Sequence, residues 1–463
     1  MRGNLYALTL PTDERATDRH DTHDGRPAFR AGRRAMTVQI TPELSREELA
    51  ERQDERLVET VERAYENVPF YRERLDDRGV SPADIGGIDD IDQLPTTTKD
   101  AFREEYPDGL FAVDDEEVTR IHASSGTTGK PKVVGYTADD IERWAAVVAR
   151  SLAAAGVEPG DTVQNAYGYG LFTGGLGFHY GIERLGATVV PMGGGNTARQ
   201  LTMLQDMGSD ALSCTPSYCL YLAECAEQQG LDPRDLPLST VIIGAEPFTD
   251  PMREEIEAAL DVTAIDIYGL SEIIGPGVAM ECAEAQDGLH VWEDHFYPEI
   301  IDPDTGETLP PGETGELVLT TLTKEAQPIL RYRTGDITHL YEEECDCGRT
   351  ERRMGNITGR TDDLLIVRGV NVYASQIEET MLDIDEVAPH YRLDLRREDT
   401  LDTMEITVEP HEQSGTAPEE LRAAIDERLN DELDVSPDSI EVVDPGTIDR
   451  TEVGKVKRVF DHR

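Results

Sequence analysis

The sequence predicts an α/β protein with a large multi-layer N-terminal domain, mostly parallel sheets and a small α+β C-terminal domain. Between residues 187 and 268, short apolar runs alternate with helical patterns, which is typical of a parallel sheet covered on both faces. From Leu289 the pattern changes to short strands and turns, which predicts a small β-barrel-like subdomain. From Asp362 onward, about a hundred residues form a separate α+β pattern of ordinary small-domain size.

The chain begins with a polar stretch. Residues 1–35 are rich in Arg, Asp and Thr and lack hydrophobic periodicity, so we expect a disordered extension. In residues 48–74, apolar side chains recur at spacings near three and four, which predicts one or two amphipathic helices.

The central alternation can be assigned element by element. We predict strands at Ala187–Pro191, Ala211–Cys214, Thr240–Gly244 and Ala264–Tyr268, and helices at Ala138–Ala155, Ala198–Gly208, Tyr218–Gln229 and Asp250–Leu260. Ligands bind beyond the carboxyl ends of parallel strands. Two loops follow such ends, GAEP at Gly244–Pro247 and IYGLSE at Ile267–Glu272, and both are candidate binding loops.

The net charge is strongly negative. The chain has 94 acidic and 43 basic residues, for a formal charge of −51. Such a surface argues against nucleic acid and anionic lipid as partners. The acidic runs are dispersed, and lysine is scarce, with six lysines in the whole chain. This composition resembles that of proteins from organisms with a salt-rich cytoplasm.

Membrane insertion and secretion are not indicated. No apolar run reaches the ~20 residues of a membrane span, and the N-terminus lacks an apolar signal core. Six cysteines in 463 residues do not suggest a disulfide framework. We therefore expect a cytoplasmic protein without a membrane partner, and a homodimer stays open.

A loop rich in small residues stands out at Ser124–Lys132, which reads SSGTTGKPK. Small residues let a backbone bend around an anion, and N–H groups, hydroxyls and lysine can then bind it. The spacing differs from the Walker P-loop, because Pro131 stands where the magnesium-binding hydroxyl belongs. A flexible turn between two elements is the alternative.

A second glycine-rich stretch spans Thr162–Gly181. Its G-x-G does not continue into the dinucleotide pattern G-x-G-x-x-G, so we reject a nicotinamide site. Two interpretations stay open: backbone lying close to a flat ligand, with Tyr167, Tyr169 and Phe172 beside it, or a helix packed through glycines.

The loop resembles the phosphate loop of the acyl-adenylate-forming enzymes. The longer segment IHASSGTTGKPKVVGYT, at Ile121–Thr137, is similar to that of the phenylacetate–CoA ligase family. The resemblance extends over residues 48–463. It implies an adenylation domain at 36–360 and a mobile C-terminal domain at 361–463 that rotates about the hinge residue Asp362.

The resemblance also implies a nucleotide site. The β- and γ-phosphates of ATP would lie in the loop, GAEP would line the adenine, Tyr268 would stack on the base and Asp336 would accept the ribose hydroxyls. The implied nucleotide-binding residues are Ser124, Ser125, Gly126, Thr127, Thr128, Gly129, Lys130, Gly244, Ala245, Glu246, Pro247, Tyr268, Gly269, Ser271, Asp336 and Arg360.

Two residues carry the implied chemistry. Glu272 would bind Mg²⁺, since a hard cation on phosphate oxygens prefers a carboxylate ligand. Lys455, in TEVGKVKR, would approach the substrate carboxylate and the α-phosphate. Val453 is an extra residue relative to the usual ligase ending, so Lys457 is a weaker candidate for the same role. Coenzyme A would then displace AMP.

Four residues predict a metal site of another kind. Cys345 and Cys347 form C-x-C in a turn, and Cys282 and His290 lie eight residues apart upstream. Three thiolates and one imidazole would make a closed tetrahedral Zn²⁺ site. Free thiols are the alternative, and a disulfide is disfavoured in the cytosol.

The implied substrate is an aryl acid. Tyr169, Phe172, Ala245 and Pro247 offer apolar surface for a ring. Phenylacetate comes first, then other arylacetates and benzoates. Adenylation of a deazaflavin coenzyme stays open, because the family includes such synthetases. A paralogue that binds nucleotide without turnover is disfavoured, since Lys455, Glu272 and Asp336 are all present.

Overall fold

The structure is a computed structural model that describes residues 44–124, 130–361, 363–367, 370–398, 401–412, 414–451 and 455–463. The predictions for residues 1–35, for Ser125–Gly129 and for Asp362 therefore lie outside the described residues. The helices are α1 (Arg46–Asn67), α2 (Pro69–Arg78), α3 (Lys99–Glu104), α4 (Ala138–Ala154), α5 (Thr173–Leu185), α6 (Thr197–Met207), α7 (Pro216–Gln228), α8 (Asp250–Leu260), α9 (Ala374–Leu382) and α10 (Pro418–Leu433).

The strands fall into five sheets. They are β1 (Arg120–Ser124), β2 (Lys132–Tyr136), β3 (Thr162–Asn165), β4 (Thr188–Pro191), β5 (Ala211–Cys214), β6 (Thr240–Gly244), β7 (Thr263–Leu270), β8 (Gly275–Met280), β9 (Leu289–Val291), β10 (Phe296–Ile301), β11 (Gly315–Thr321), β12 (Tyr332–Thr338), β13 (Arg353–Met354), β14 (Gly359–Arg360), β15 (Leu364–Val367), β16 (Val370–Tyr373), β17 (Val387–Glu398), β18 (Leu401–Pro410), β19 (Ser439–Val442) and β20 (Val459–Asp461).

The N-terminal amphipathic pattern forms two helices, as predicted. A capping box at Ser45 and Glu48 starts α1. Pro69 ends the first helical run and occupies the first turn of α2, where its missing N–H has no cost. The apolar side chains of both helices, including Leu57, Val61 and Leu75, are buried in the main core.

The large sheet has the order β13-β9-β8-β7-β6-β5-β3-β4. Strands β4, β3, β5, β6 and β7 pair in parallel, whereas β8, β9 and β13 add an antiparallel edge. The predicted alternation is confirmed. Strands β5 and β6 are almost fully buried, as expected for a sheet covered on both faces.

The predicted barrel-like subdomain is an open sheet. Strands β10, β11, β12 and β14 pair antiparallel in that order, and β10 and β14 form its edges. The described residues contain no closed barrel here, because four short strands are too few to curve through a full circle.

The C-terminal part has the predicted α+β character. Strands β17 and β18 form a long antiparallel pair, and β20 and β19 join its edges in parallel. Helices α9 and α10 cover this sheet. Apolar side chains of the helices (Ile377 and Ile425) and of the sheet (Leu393 and Ile406) form a separate hydrophobic cluster.

Helix α5 explains much of the glycine-rich stretch. A Cβ at Gly177 would clash with Trp144, and one at Gly181 would clash with Val148, both on α4. These glycines therefore allow α4 and α5 to pack closely, as one of the two interpretations predicted. Among the described residues, no helix combines the length and apolar character needed to cross a membrane.

Candidate active site

The two predicted binding loops lie side by side at the carboxyl ends of β6 and β7. Residue Gly244 pairs with Ile267, and a Cβ at Gly244 would clash with the Ile267 carbonyl. The hydroxyl of Tyr167 donates to the carbonyls of Cys214, at 2.5 Å, and Gly244, at 3.2 Å. Tyr167 therefore holds the backbone of Gly244, the first residue of the GAEP loop, in place.

Asp336 is buried between two side chains that the sequence also singled out. Its neighbour across β12 and β14 is Arg360, whose guanidinium forms an ion pair with Asp336 Oδ1. The hydroxyl of Tyr268 donates to Asp336 Oδ2 at 2.5 Å. Burial raises the pKa of Asp336, while Arg360 and the Tyr268 hydrogen bond lower it. The structure thus brings all three together.

Glu272 is buried in the same region. Its Oε1 forms an ion pair with Lys132 Nζ and accepts a hydrogen bond from the Tyr332 hydroxyl at 3.0 Å. Tyr332 was not predicted as a site residue. Its position in RYRTGD, four residues before Asp336, could have indicated it.

The phosphate-loop segment connects β1 to β2. Ser124 and Lys132 are partners in the antiparallel pairing of β1 and β2, so the two ends of the segment lie side by side. The buried Ser124 hydroxyl has no hydrogen-bond partner within the described residues. Lys130 is exposed, and its ammonium lies 5.0 Å from the centroid of the Tyr106 ring.

Lys455 belongs to the C-terminal part, and the backbone N–H of the next residue, Val456, donates to Glu246 Oε1 at 2.8 Å, which places Lys455 beside the GAEP loop. The residue is exposed, yet the protein around its ammonium lowers its pKa, first through loss of hydration and also through Arg360. The charges of Glu246, Asp336 and Glu272 act in the opposite direction. By contrast, the ammonium of Lys457 lies 4.8 Å from the centroid of the Phe460 ring, within its own C-terminal part.

Glu246 makes contacts that the sequence did not predict. Its Oε2 accepts from the Ser217 hydroxyl at 2.5 Å, and its Oε1 accepts from the Val456 backbone N–H at 2.8 Å. The carboxylate therefore joins the GAEP loop to the residue after Lys455.

The predicted aryl pocket residues border these loops and face solvent. Tyr169 is 37% and Phe172 is 40% exposed, and Ala245 and Pro247 are also exposed. Leu171, which the sequence reading missed, is 65% exposed. The backbone at Leu171 is bound to β1, because the Leu171 carbonyl accepts a hydrogen bond from the Ala123 N–H at 2.9 Å. Thr173 and Ser271 hydroxyls lie 3.0 Å apart.

The four predicted zinc ligands converge. The ligand atoms of Cys282, His290, Cys345 and Cys347 all lie within 4.8 Å of one another. Cys282 and Cys345 sulfurs are 3.7 Å apart, and Cys347 Sγ is 3.4 Å from His290 Nε2. Tetrahedral zinc with Zn–S of about 2.3 Å requires sulfurs about 3.8 Å apart. Burial lowers the pKa of His290 to about 4, so its imidazole is neutral, as a metal ligand must be.

Comparison with known proteins defines the class first. A family model described as "AMP-binding enzyme" matches residues 30–322, and one described as "AMP-binding enzyme C-terminal domain" matches residues 369–463. The fold and the matched models together define an AMP-binding enzyme of the acyl-adenylate-forming type.

Curated relatives narrow this class. Phenylacetate-coenzyme A ligase of Thermus thermophilus is 52% identical over 436 residues, 91% of this chain and 98% of its own. The Escherichia coli protein of the same name is 52% identical over 422 residues, 90% of this chain and 95% of its own. This chain belongs to the phenylacetate–CoA ligase family.

Solved structures of 2-hydroxyisobutyryl-CoA ligase are similar to this chain over about nine-tenths of its length. The postadenylation state in complex with 2-HIB-AMP has a TM-score of 0.85 at 30% identity and covers 91% of both chains. The thioesterification state, in complex with 2-HIB-AMP and CoA, has a TM-score of 0.68 at 31% identity and covers 90% of both chains.

Proposed function

We propose that this protein is an ATP-dependent CoA ligase that activates an aryl carboxylic acid, with phenylacetate as the first candidate. A carboxylate oxygen attacks the α-phosphorus of ATP, forming the acyl-adenylate and releasing pyrophosphate. The thiol of coenzyme A then attacks the acyl carbon, loses its proton, and displaces AMP to give the thioester. This chain contributes position and charge rather than a covalent nucleophile.

The observation that carries the proposal is the convergence of charged groups from distant parts of the chain. Tyr268 of β7 donates to Asp336, which also pairs with Arg360. Glu246, after β6, accepts from the backbone of Val456, the residue after Lys455. We assign Lys455 to the developing charge between the carboxylate and the α-phosphate. Asp336 and Arg360 are assigned to the ribose.

Mg²⁺ is assigned to Glu272. Its carboxylate is the oxygen ligand that a hard cation prefers. Lys132 occupies one of its oxygens and stands at the end of the phosphate-loop segment, so it can exchange this carboxylate for a phosphate oxygen. The cation would neutralise the phosphates and align the pyrophosphate leaving group.

The preference for an aryl acid rests on two observations. Tyr169 and Phe172 expose their rings just before Thr173, whose hydroxyl lies 3.0 Å from that of Ser271. Four relatives about half identical to this chain, over 90% or more of its length, are named phenylacetate-coenzyme A ligase. We also assign the protein to the cytoplasm, where ATP and reduced coenzyme A are available.

The test is pyrophosphate release from ATP and Mg²⁺ with a panel of phenylacetate, benzoate, an aliphatic acid and a deazaflavin coenzyme. Thioester formation is then measured after adding coenzyme A. The proposal predicts fastest release with phenylacetate and a thioester only when coenzyme A is present. Release with the deazaflavin alone would favour coenzyme adenylation instead. No release with any acid would indicate a nucleotide-binding paralogue without turnover.

We further propose that Cys282, His290, Cys345 and Cys347 bind a structural zinc ion. The ion would join Cys282, after β8, to Cys345 and Cys347, in the turn before β13. The pairing of Arg353 in β13 with His290 in β9 already brings these two segments together. His290 Nδ1 lies 3.4 Å from the Glu351 carbonyl, which would fix the tautomer that leaves Nε2 free for metal.

The domain division remains part of the proposal. We assign residues 36–360 to the adenylation domain and 361–463 to the mobile domain, with Asp362 as the hinge. The separate hydrophobic cluster of the C-terminal part and the family model that matches residues 369–463 support this division.

A further inference from the structure

The segment that carries Lys455 is attached to the large domain through two carboxylates. Glu224 lies on α7, and Glu246 follows β6. On the other side of this boundary, His390, Arg450 and Val456 belong to the C-terminal part. Arg450 and Val456 lie on either side of Lys455 in the sequence, and His390 lies on β17. The two carboxylates that bind them therefore fix the position of the segment that carries Lys455.

Glu246 forms the first attachment. Its Oε1 accepts from the Val456 N–H at 2.8 Å, directly beside Lys455. Its Oε2 accepts from Ser217 Oγ at 2.5 Å and from the Ser217 N–H at 3.3 Å, at the N-terminus of α7. Ser217 therefore orients the carboxylate, and the other oxygen holds the backbone of the lysine segment.

Glu224 forms the second attachment. It accepts from His390 Nε2 at 2.5 Å and from Arg450 Nε at 3.2 Å. Arg450 is itself fixed by the buried Glu409, at 2.8 Å from its Nη2. Burial would raise the pKa of Glu224, but His390 and Arg450 outweigh it and lower that pKa. The carboxylate is thus ionised and doubly contacted across the boundary.

We propose that Glu224 and Glu246 form a clasp that holds the C-terminal domain in the adenylation orientation and opens before the thioester step. The proposal rests on the function proposed above, because it assumes two half-reactions with different domain orientations. Both glutamates are positioning residues that act through Lys455. The chain superposes better on the postadenylation state of 2-hydroxyisobutyryl-CoA ligase, with a TM-score of 0.85, than on its thioesterification state, with 0.68.

The clasp makes opposite predictions for the two half-reactions. Removing it lowers the population with Lys455 at the α-phosphate, so the ATP–pyrophosphate exchange rate falls. Thioester formation from synthetic phenylacetyl-adenylate and coenzyme A needs the clasp open, so its rate stays equal or rises. A hydrogen bond to a charged group is worth roughly a ten-fold change or more in such an equilibrium.

The experiment compares Glu224→Gln and Arg450→Gln, which remove the two sides of one contact across the boundary, with the wild type in both half-reactions. Glu227→Gln, an exposed glutamate on the same helix, is the matched control. We expect exchange to fall about ten-fold or more in both variants, with thioester formation retained, and no change in the control. Equal loss of both half-reactions, or no loss of exchange, would overturn the clasp.

A readout without turnover separates this inference from the proposed function. Amide hydrogen exchange of the peptide containing Val456 should be faster in Glu246→Ala than in the wild type. Unchanged protection would overturn the clasp even if the enzyme were active. Failure of the wild type to exchange pyrophosphate with any acid would contradict the proposed function instead, while the amide measurement would still test the clasp.

Discussion

Lys132 Nζ forms an ion pair with Glu272 Oε1, joining the first residue of β2 to the end of the IYGLSE loop. The two residues are 140 positions apart in the sequence. The carboxylate assigned to Mg²⁺ is therefore occupied by a lysine from the phosphate-loop segment. Under the proposed function, Mg²⁺ would take the place of Lys132 at Glu272, and a phosphate of the nucleotide would bind Lys132 instead.

Replacing Glu272 tests the cation assignment. Glu272→Gln keeps an oxygen for the Tyr332 hydroxyl but removes the charge that attracts Mg²⁺. We expect pyrophosphate exchange to fall at least about 100-fold, and the Mg²⁺ concentration for half-maximal rate to rise. Glu342→Gln, on an exposed turn, is the control. Unchanged Mg²⁺ dependence would show that the cation binds elsewhere.

Zinc content tests the cysteine cluster. Purified protein should contain one equivalent of zinc per chain, and Cys345→Ser should lose it and melt at a lower temperature, because one ligand of four is removed. Cys225→Ser, on α7 and outside the cluster, should keep its zinc. Metal analysis that finds no zinc in the wild type would leave the four residues as free thiols.

Glu255 predicts a pH dependence of stability. Burial, together with the charge of Glu224, raises the pKa of Glu255 to about 8. Between its ordinary pKa of 4.5 and about 8, the folded state binds more protons than the unfolded state, so stability falls as pH rises.

The variant Glu255→Gln cannot lose that proton. It should therefore raise the melting temperature relative to wild type more at pH 8.5 than at pH 5, by roughly 2 °C or more. His411 Nδ1 lies 4.0 Å from Glu255, so its contact is altered in the same variant. Glu254→Gln, an exposed neighbour, is the control. A gain that is equal at both pH values would contradict the raised pKa.

The charge of −51 predicts a requirement for salt. At about 1 M salt the Debye length is roughly 3 Å, so repulsion among surface carboxylates is screened. We expect the melting temperature to rise between dilute buffer and molar KCl. A melting temperature that is the same in both would remove the explanation offered for the acidic composition.

Local patterns predicted β4, β5, β6 and β7 of the large sheet to within a few residues, but they did not predict β3 at Thr162–Asn165. The helix expected at Ala198–Gly208 is α6, Thr197–Met207, and the strand expected at Thr240–Gly244 is β6. These elements have short apolar runs or a clear helical period, and glycine or proline marks their ends. The local pattern did not show that the barrel-like subdomain stays an open sheet, because closure depends on the number of strands that pair and not on local alternation.

In the candidate site, too, some contacts were predicted from the sequence and others were not. Asp336 and Arg360 were expected near each other, and the register of β12 and β14 pairs them. The attachment of Glu224 to Arg450 was not expected, since an acidic residue on an acidic helix gives no signal of its own. Such contacts depend on how the C-terminal part packs against the rest of the chain, which no local pattern encodes.

The most direct test of the account compares the two C-terminal lysines. Lys455 precedes Val456, whose backbone N–H is bound by Glu246 of the GAEP loop, whereas the Lys457 ammonium lies over the Phe460 ring. Pyrophosphate exchange with phenylacetate is measured for Lys455→Ala and Lys457→Ala. We expect a loss of about 100-fold or more for Lys455→Ala, and a rate close to wild type for Lys457→Ala. Full activity in Lys455→Ala would contradict the central claim that this lysine stabilises the adenylation transition state.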